Sequence, residues 1–97
     1  MIEHIVLFKF KDEATTKQIE ALTNGLRGMA TTIPGIVRLV VRENKSSHSM
    51  GYTLGLVVRF TDWAALEAYL PHPVHQAVVT NLLSPIHEDL VAFDYEI

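Results

Sequence analysis

Four segments of this chain show the period-two alternation and the β-branched and aromatic content of strands, yet each is apolar on both of its faces. In IEHIVLFKF, residues 2–10, one face carries Ile2, His4, Val6, Phe8 and Phe10, while Glu3, Ile5, Leu7 and Lys9 lie on the other, which is half apolar too. In residues 36–44, Val37, Leu39 and Val41 oppose Ile36 and Val40. YTLGLVVRF, residues 52–60, sets Tyr52, Leu54, Leu56, Val58 and Phe60 on one side. In residues 90–97, Val91 and Phe93 oppose Leu90 and Ala92. A sheet covered by helices on one face is normally polar on the other. A second apolar face this large does not stay in water. The simplest cover is another copy of the same sheet about a two-fold axis. At about 25 cal/mol per Å², burying several such side chains contributes several kcal/mol. The pattern therefore predicts a homodimer through the sheet faces; a heteromeric partner is the other way to cover them.

Helical signals separate the strands. Thr15 and Gln18 form a capping box for a helix with Ile19, Leu22, Leu26, Met29 and Ile33 on one face. Gly25 and Gly28 lie inside it, which implies close packing against a neighbouring backbone. Pro34-Gly35 ends it. Residues 45–51, KSSHSMG, read as a polar, mobile loop. Thr61 or Asp62 caps a short helix through Leu70 that buries Trp63, Leu66 and Leu70. Pro71 stops it, Pro73 suits the first turn of another helix over 73–83, and Pro85 closes that one. The order β-α-β-β-α-α-β predicts an α+β, ferredoxin-like sandwich, a four-stranded antiparallel sheet with helices on one face. Right-handed crossovers put both helical segments on the same side.

The 97 residues suit one domain, 1–97. The net charge of −3, with no basic block, argues against nucleic acid or an anionic membrane as partner. The absence of cysteine excludes disulfides, thiolate metal sites and cysteine nucleophiles. The opening MIEHIVLFKFKDE does not read as a signal peptide, and no apolar run approaches a membrane span. A cytoplasmic protein is expected.

The chemistry-bearing residues gather in YLPHPVHQAVV, residues 69–79. Tyr69 ends one helix, and His72 and His75 are three apart at the start of the next. Pro73 makes His72 the N-cap, so its ring is expected to turn aside. His4 lies on the strand face assigned to the helices. Tyr69, His75 and His4 are thus expected to line one cleft between sheet and helices, where a small apolar ligand would bind. A histidine near its ordinary pKa can take a proton from an activated carbon or hydroxyl, and a tyrosine hydroxyl can hold a carbonyl oxygen. That suits an aldol or Claisen-type cyclisation or an enolisation, with no cofactor. Each residue also has a plain structural use: His72 as a cap, His75 and His4 as hydrogen-bonded structural histidines, Tyr69 as core with its hydroxyl at the rim. Zinc is poorly served, because no carboxylate or thiolate has matching spacing, and no metal is assigned. Neither G-x-S-x-G nor a glycine-rich phosphate loop occurs. Phe8, Phe10, Phe60, Trp63 and Phe93 read as core, and His48 and His87 as solvated.

MIEHIVLFKFKDE, GYTLGLVVRFTDWAALEAYLPHPVHQ and LVAFDYE resemble the stress-responsive A/B barrel (Dabb) family along nearly the whole chain. The resemblance implies a dimeric α/β barrel, two ferredoxin-like sheets closed face to face. It also implies mixed function, stress-associated in many members and polyketide cyclisation in some plant members. By that resemblance His75 is the base, Tyr69 assists it, and His4 and His72 match family histidines. The leading expectation is a homodimer binding a small apolar molecule. The alternatives are a cofactor-independent cyclase- or lyase-like enzyme and a purely structural oligomer.

Overall fold

A computed structural model describes residues 1–97. The elements run β1 (Ile2–Phe10), α1 (Thr16–Gly28), β2 (Ile36–Glu43), β3 (Tyr52–Phe60), α2 (Trp63–Tyr69), α3 (Pro73–Val78) and β4 (His87–Glu96). A 3-10 turn at Met29–Thr31 follows α1, and a π turn at Val79–Leu83 continues α3. All pairings are antiparallel, and the sheet order is β2-β3-β1-β4. This is the ferredoxin-like arrangement expected from the element order.

Local chemistry sets the boundaries. Thr15 accepts from the Gln18 amide while the Gln18 side chain accepts from the Thr15 amide, the reciprocal capping box. Asp62, not Thr61, caps α2 through the Ala65 amide at 2.9 Å. Gly35 sits at φ +89°, a turn conformation that suits a residue without Cβ.

The core lies between the helices and the face of the sheet bearing Ile2, Val6, Phe8, Leu56, Val58 and Phe60. Leu22, Leu26 and Met29 cover it from α1 and its 3-10 extension. The other sheet face carries Ile5, Leu7, Val40, Val57, Val91, Phe93 and Tyr95, together with the charged Glu3, Arg38 and Arg59. Buried Glu3 accepts from Arg59 at 2.9 Å, and Arg38 stands beside Arg59 across the strand pair.

Several expectations need correction. Trp63 and Leu70 are 42% and 44% exposed, while Tyr69 is 1% exposed. The buried stripe of α2 is Leu66 and Tyr69, because the Tyr69 ring packs 5.0 Å from Phe60. Phe93 belongs to the face turned away from the helices and is 59% exposed in the single chain. A register shift between Ile36 and Arg38 pairs Ile36 with Phe60, so Ile36 faces the core rather than sharing a face with Val40. A second shift, between Phe8 and Lys9, pairs Tyr52 with Lys9, and the Tyr52 hydroxyl donates to Asp89 at 2.8 Å. β4 begins at His87, not at residue 90, because His87 pairs with Phe10. His87 is therefore not solvated: its Nε2 is enclosed and has no partner. A Cβ on Gly28 would meet nothing within 4 Å, so packing does not explain that glycine.

Candidate functional site

The joint between α2 and α3 is built by its two prolines. Pro71 follows the end of α2, and Pro73 opens α3. Between them His72 is extended (φ −58°, ψ 134°), and its Nδ1 accepts from the Val74 amide at 3.1 Å. His72 is thus the N-cap of α3 and does not line the cavity described below.

The joint folds His75 back over the end of α2. Its ring lies 4.2 Å from that of Tyr69, centre to centre. Nδ1 of His75 is 2.9 Å from the Leu70 carbonyl oxygen. A carbonyl only accepts, so Nδ1 carries the proton and Nε2 holds a lone pair. Gln76 donates to the same carbonyl at 2.8 Å. Burial pushes the His75 pKa down from 6.5, the Leu70 bond opposes this, and the His4 and His72 charges reinforce it. The ring is neutral at pH 7 and ready to take a proton.

Tyr69 lies against Phe60 and His4, with its ring centre 5.9 Å from that of His4. Burial alone drives its pKa well above 10, so the phenol stays a neutral donor. His4 is 6% exposed, and its Nδ1 bonds the carboxylate of Asp94, its cross-strand neighbour on β4. That bond orients the imidazole toward Tyr69. Sequence reasoning missed Asp94. The available signal was a carboxylate at the same parity as Leu90 and Ala92, but its partner emerges only with the β1–β4 register.

These three expected residues, His4, Tyr69 and His75, meet at one cavity of about 230 Å³ between sheet and helices. The rest of the wall is apolar: Val6 and Phe8 from β1, Leu22 and Leu26 from α1, Val79 and Leu83 from the π turn. The cavity exists because β4 is an edge strand that the helices do not fully cover, leaving Leu90 and Ala92 on its open side. A cluster of two imidazoles and a phenol in an apolar wall can hold one polar head group and exchange a proton with it.

The fold and cleft define a ferredoxin-like α+β protein with a chamber beneath its helices. The chain belongs to the stress responsive A/B barrel domain family, whose profile matches residues 2–97. It is 33% identical over 95 residues to a stress-response A/B barrel domain-containing protein of Arabidopsis thaliana; the match takes in 98% of this chain and spans 36% of that relative's length. It is 28% identical over 99 residues to olivetolic acid cyclase of Cannabis sativa, covering 97% of this chain and 94% of the cyclase. A structure from Jannaschia sp. CCS1, described as a dimeric ferredoxin-like protein of unknown function, superposes with TM-score 0.84 at 28% identity, covering 99% of this chain and 98% of that one. No helix is long and apolar enough to cross a membrane.

Proposed function

We propose that this chain, a single domain over residues 1–97, is a cytoplasmic homodimer that binds a small, mainly apolar molecule in the cleft bounded by His4, Tyr69 and His75. One observation carries the reading: an apolar chamber has a polar corner in which His75 Nε2 keeps a lone pair. The dimer is supported by the exposure of Val91, Phe93 and Tyr95 on the open sheet face and by the dimeric relative. A purely structural oligomer would more naturally fill such a chamber with side chains. The test is an imidazole-resolved NMR titration with 1-hexanol. Saturable shifts at His75, with His48 of the exposed loop unmoved, are expected; equal drift of both rings would contradict specific binding.

A second reading is favoured by the Leu70-fixed tautomer and by likeness to the Cannabis cyclase. In it, His75 Nε2 takes a proton from a carbon activated by an adjacent carbonyl, and Tyr69 holds that carbonyl's developing oxyanion. The carbanion then closes on a second carbonyl of the same molecule, whose oxygen takes up the proton. No cofactor is needed. Deuterium exchange at the central carbon of ethyl 3-oxohexanoate reports the first step. Exchange above the buffer rate that vanishes in His75→Ala, with fold and dimer intact, supports catalysis; equal rates in both proteins leave binding alone.

A further inference from the structure

Gly25 lies within α1, flanked by Leu22 and Leu26, both on the cavity wall. The position is otherwise suited to a helix-forming residue, so the missing side chain has a use elsewhere. A Cβ on Gly25 would stand 2.6 Å from Leu82 Cδ1 and 3.6 and 3.7 Å from the two methyls of Val78. Leu82 belongs to the π turn, and Val78 to the last turn of α3 that leads into it. Val78, Val79 and Leu83 from the same stretch line the cavity.

The turn is closed by the Ser84 amide donating to the Val79 carbonyl at 2.8 Å, five residues back. A π turn is wider than an α turn. Here the extra width directs Leu82 at α1 while Val79 and Leu83 remain over the chamber. Gly25 leaves room for the tip of the Leu82 side chain, which a Cβ at position 25 would displace.

We propose that Gly25 is a specificity-determining residue: by seating Leu82 it fixes how close the π turn comes to α1, and so how long an apolar tail the cavity accepts. The proposal rests on ligand binding in that cavity. A methyl at position 25 touches Val78 and displaces the tip of Leu82; the π turn moves with Leu82 away from α1, and the chamber deepens.

The experiment measures dissociation constants of 1-butanol through 1-nonanol by the His75 imidazole shifts. In the native protein each added methylene tightens binding about fourfold until the tail fills the chamber, after which the series levels. In Gly25→Ala the levelling point moves to a longer alcohol by at least one carbon. In Gly25→Ala/Leu82→Ala it returns to the native length. A folded Gly25→Ala that levels at the native length or shorter overturns the proposal, because Leu82 has then simply swung aside. So does a double variant that keeps the longer preference. Should Gly25→Ala not fold, Leu82→Phe presses on the same slot from the opposite helix and is read in the same way. A native protein that binds no alcohol removes the binding reading and this one with it; a native series with an unmoved levelling point removes only this one.

Discussion

The imidazole of His75 and the phenol of Tyr69 lie 4.2 Å apart, centre to centre, and inclined at 39°. Burial holds both in their neutral forms, a base and an acid side by side with no ion between them. The pH dependence follows from the two directions. The His75 pKa in the fold is below its ordinary 6.5. Its contribution to stability is therefore whole above 6.5 and is lost as pH falls through the folded value. The Tyr69 pKa is above its ordinary 10, so its contribution is whole below 10 and is lost as pH rises toward the folded value. An NMR titration should give His75 a midpoint below 6.5, and the phenolate absorbance missing in Tyr69→Phe should rise only above pH 10. A His75 midpoint at or above 6.5 would mean that the ring is not enclosed as described.

Asp94 matters through His4. In Asp94→Ala the buried Nδ1 of His4 loses its acceptor, and water reaches it only partly because the His4 side chain is 8% exposed. The expected loss is about 1–2 kcal/mol, read as the change in urea midpoint at constant slope. Asp94→Asn keeps an acceptor oxygen at the same place and should lose less. Equal losses in the two variants would show that the negative charge of the Asp94 carboxylate, not merely an acceptor oxygen at that place, is what His4 needs.

Gly35 joins α1 to β2 at φ +89°, and a Cβ there would stand 2.6 Å from the Cβ of Ala65. Two costs therefore add in Gly35→Ala: a left-handed conformation, about 1 kcal/mol, and a clash with α2. The Gly35 carbonyl also accepts from the Thr61 amide at 3.1 Å, which ties the turn to the end of β3. A loss of about 2–3 kcal/mol in urea denaturation is expected. Pairing the change with Ala65→Gly should return only the steric part, so the double variant stays less stable than Ala65→Gly alone.

The fold was legible because each of its signals is local. Thr15 and Gln18 announce a helix start, Pro71 and Pro73 a joint, and the alternation in β1 and β3 a pair of half-buried strands. The meeting of His4, Tyr69 and His75 was legible too, since strand parity and the helix joint place them on one side of the sheet. What escaped depends on register. The shift beside Val37 moves Ile36 to the core face, and the early start of β4 encloses His87; neither has a composition signal. The α2 stripe was misplaced for a different reason. Trp63 and Leu70 are more apolar than Tyr69, but only Tyr69 reaches Phe60 and the imidazoles of His4 and His75.

The open sheet face supplies the last prediction. Phe93 stands across from Ile5 and 5.5 Å from the Tyr95 ring, with Val91 next on the same face of β4. These side chains are 59%, 40% and 47% exposed for Phe93, Tyr95 and Val91, too large a patch of edge strand to leave in water. If two copies cover it, a charge at its centre must be desolvated without a partner on association. Phe93→Glu should therefore sediment as a monomer at micromolar concentration where the native chain sediments as a dimer. Its far-UV circular dichroism should be unchanged, because Phe93 contributes nothing to the core beneath the helices. Trp63→Glu is the control: residue 63 is 42% exposed but lies at the start of α2, away from the open sheet face, so the dimer should persist. A native monomer would overturn the dimer itself, and a dimer indifferent to Phe93→Glu and broken by Trp63→Glu would place the association surface on the helices instead of the sheet.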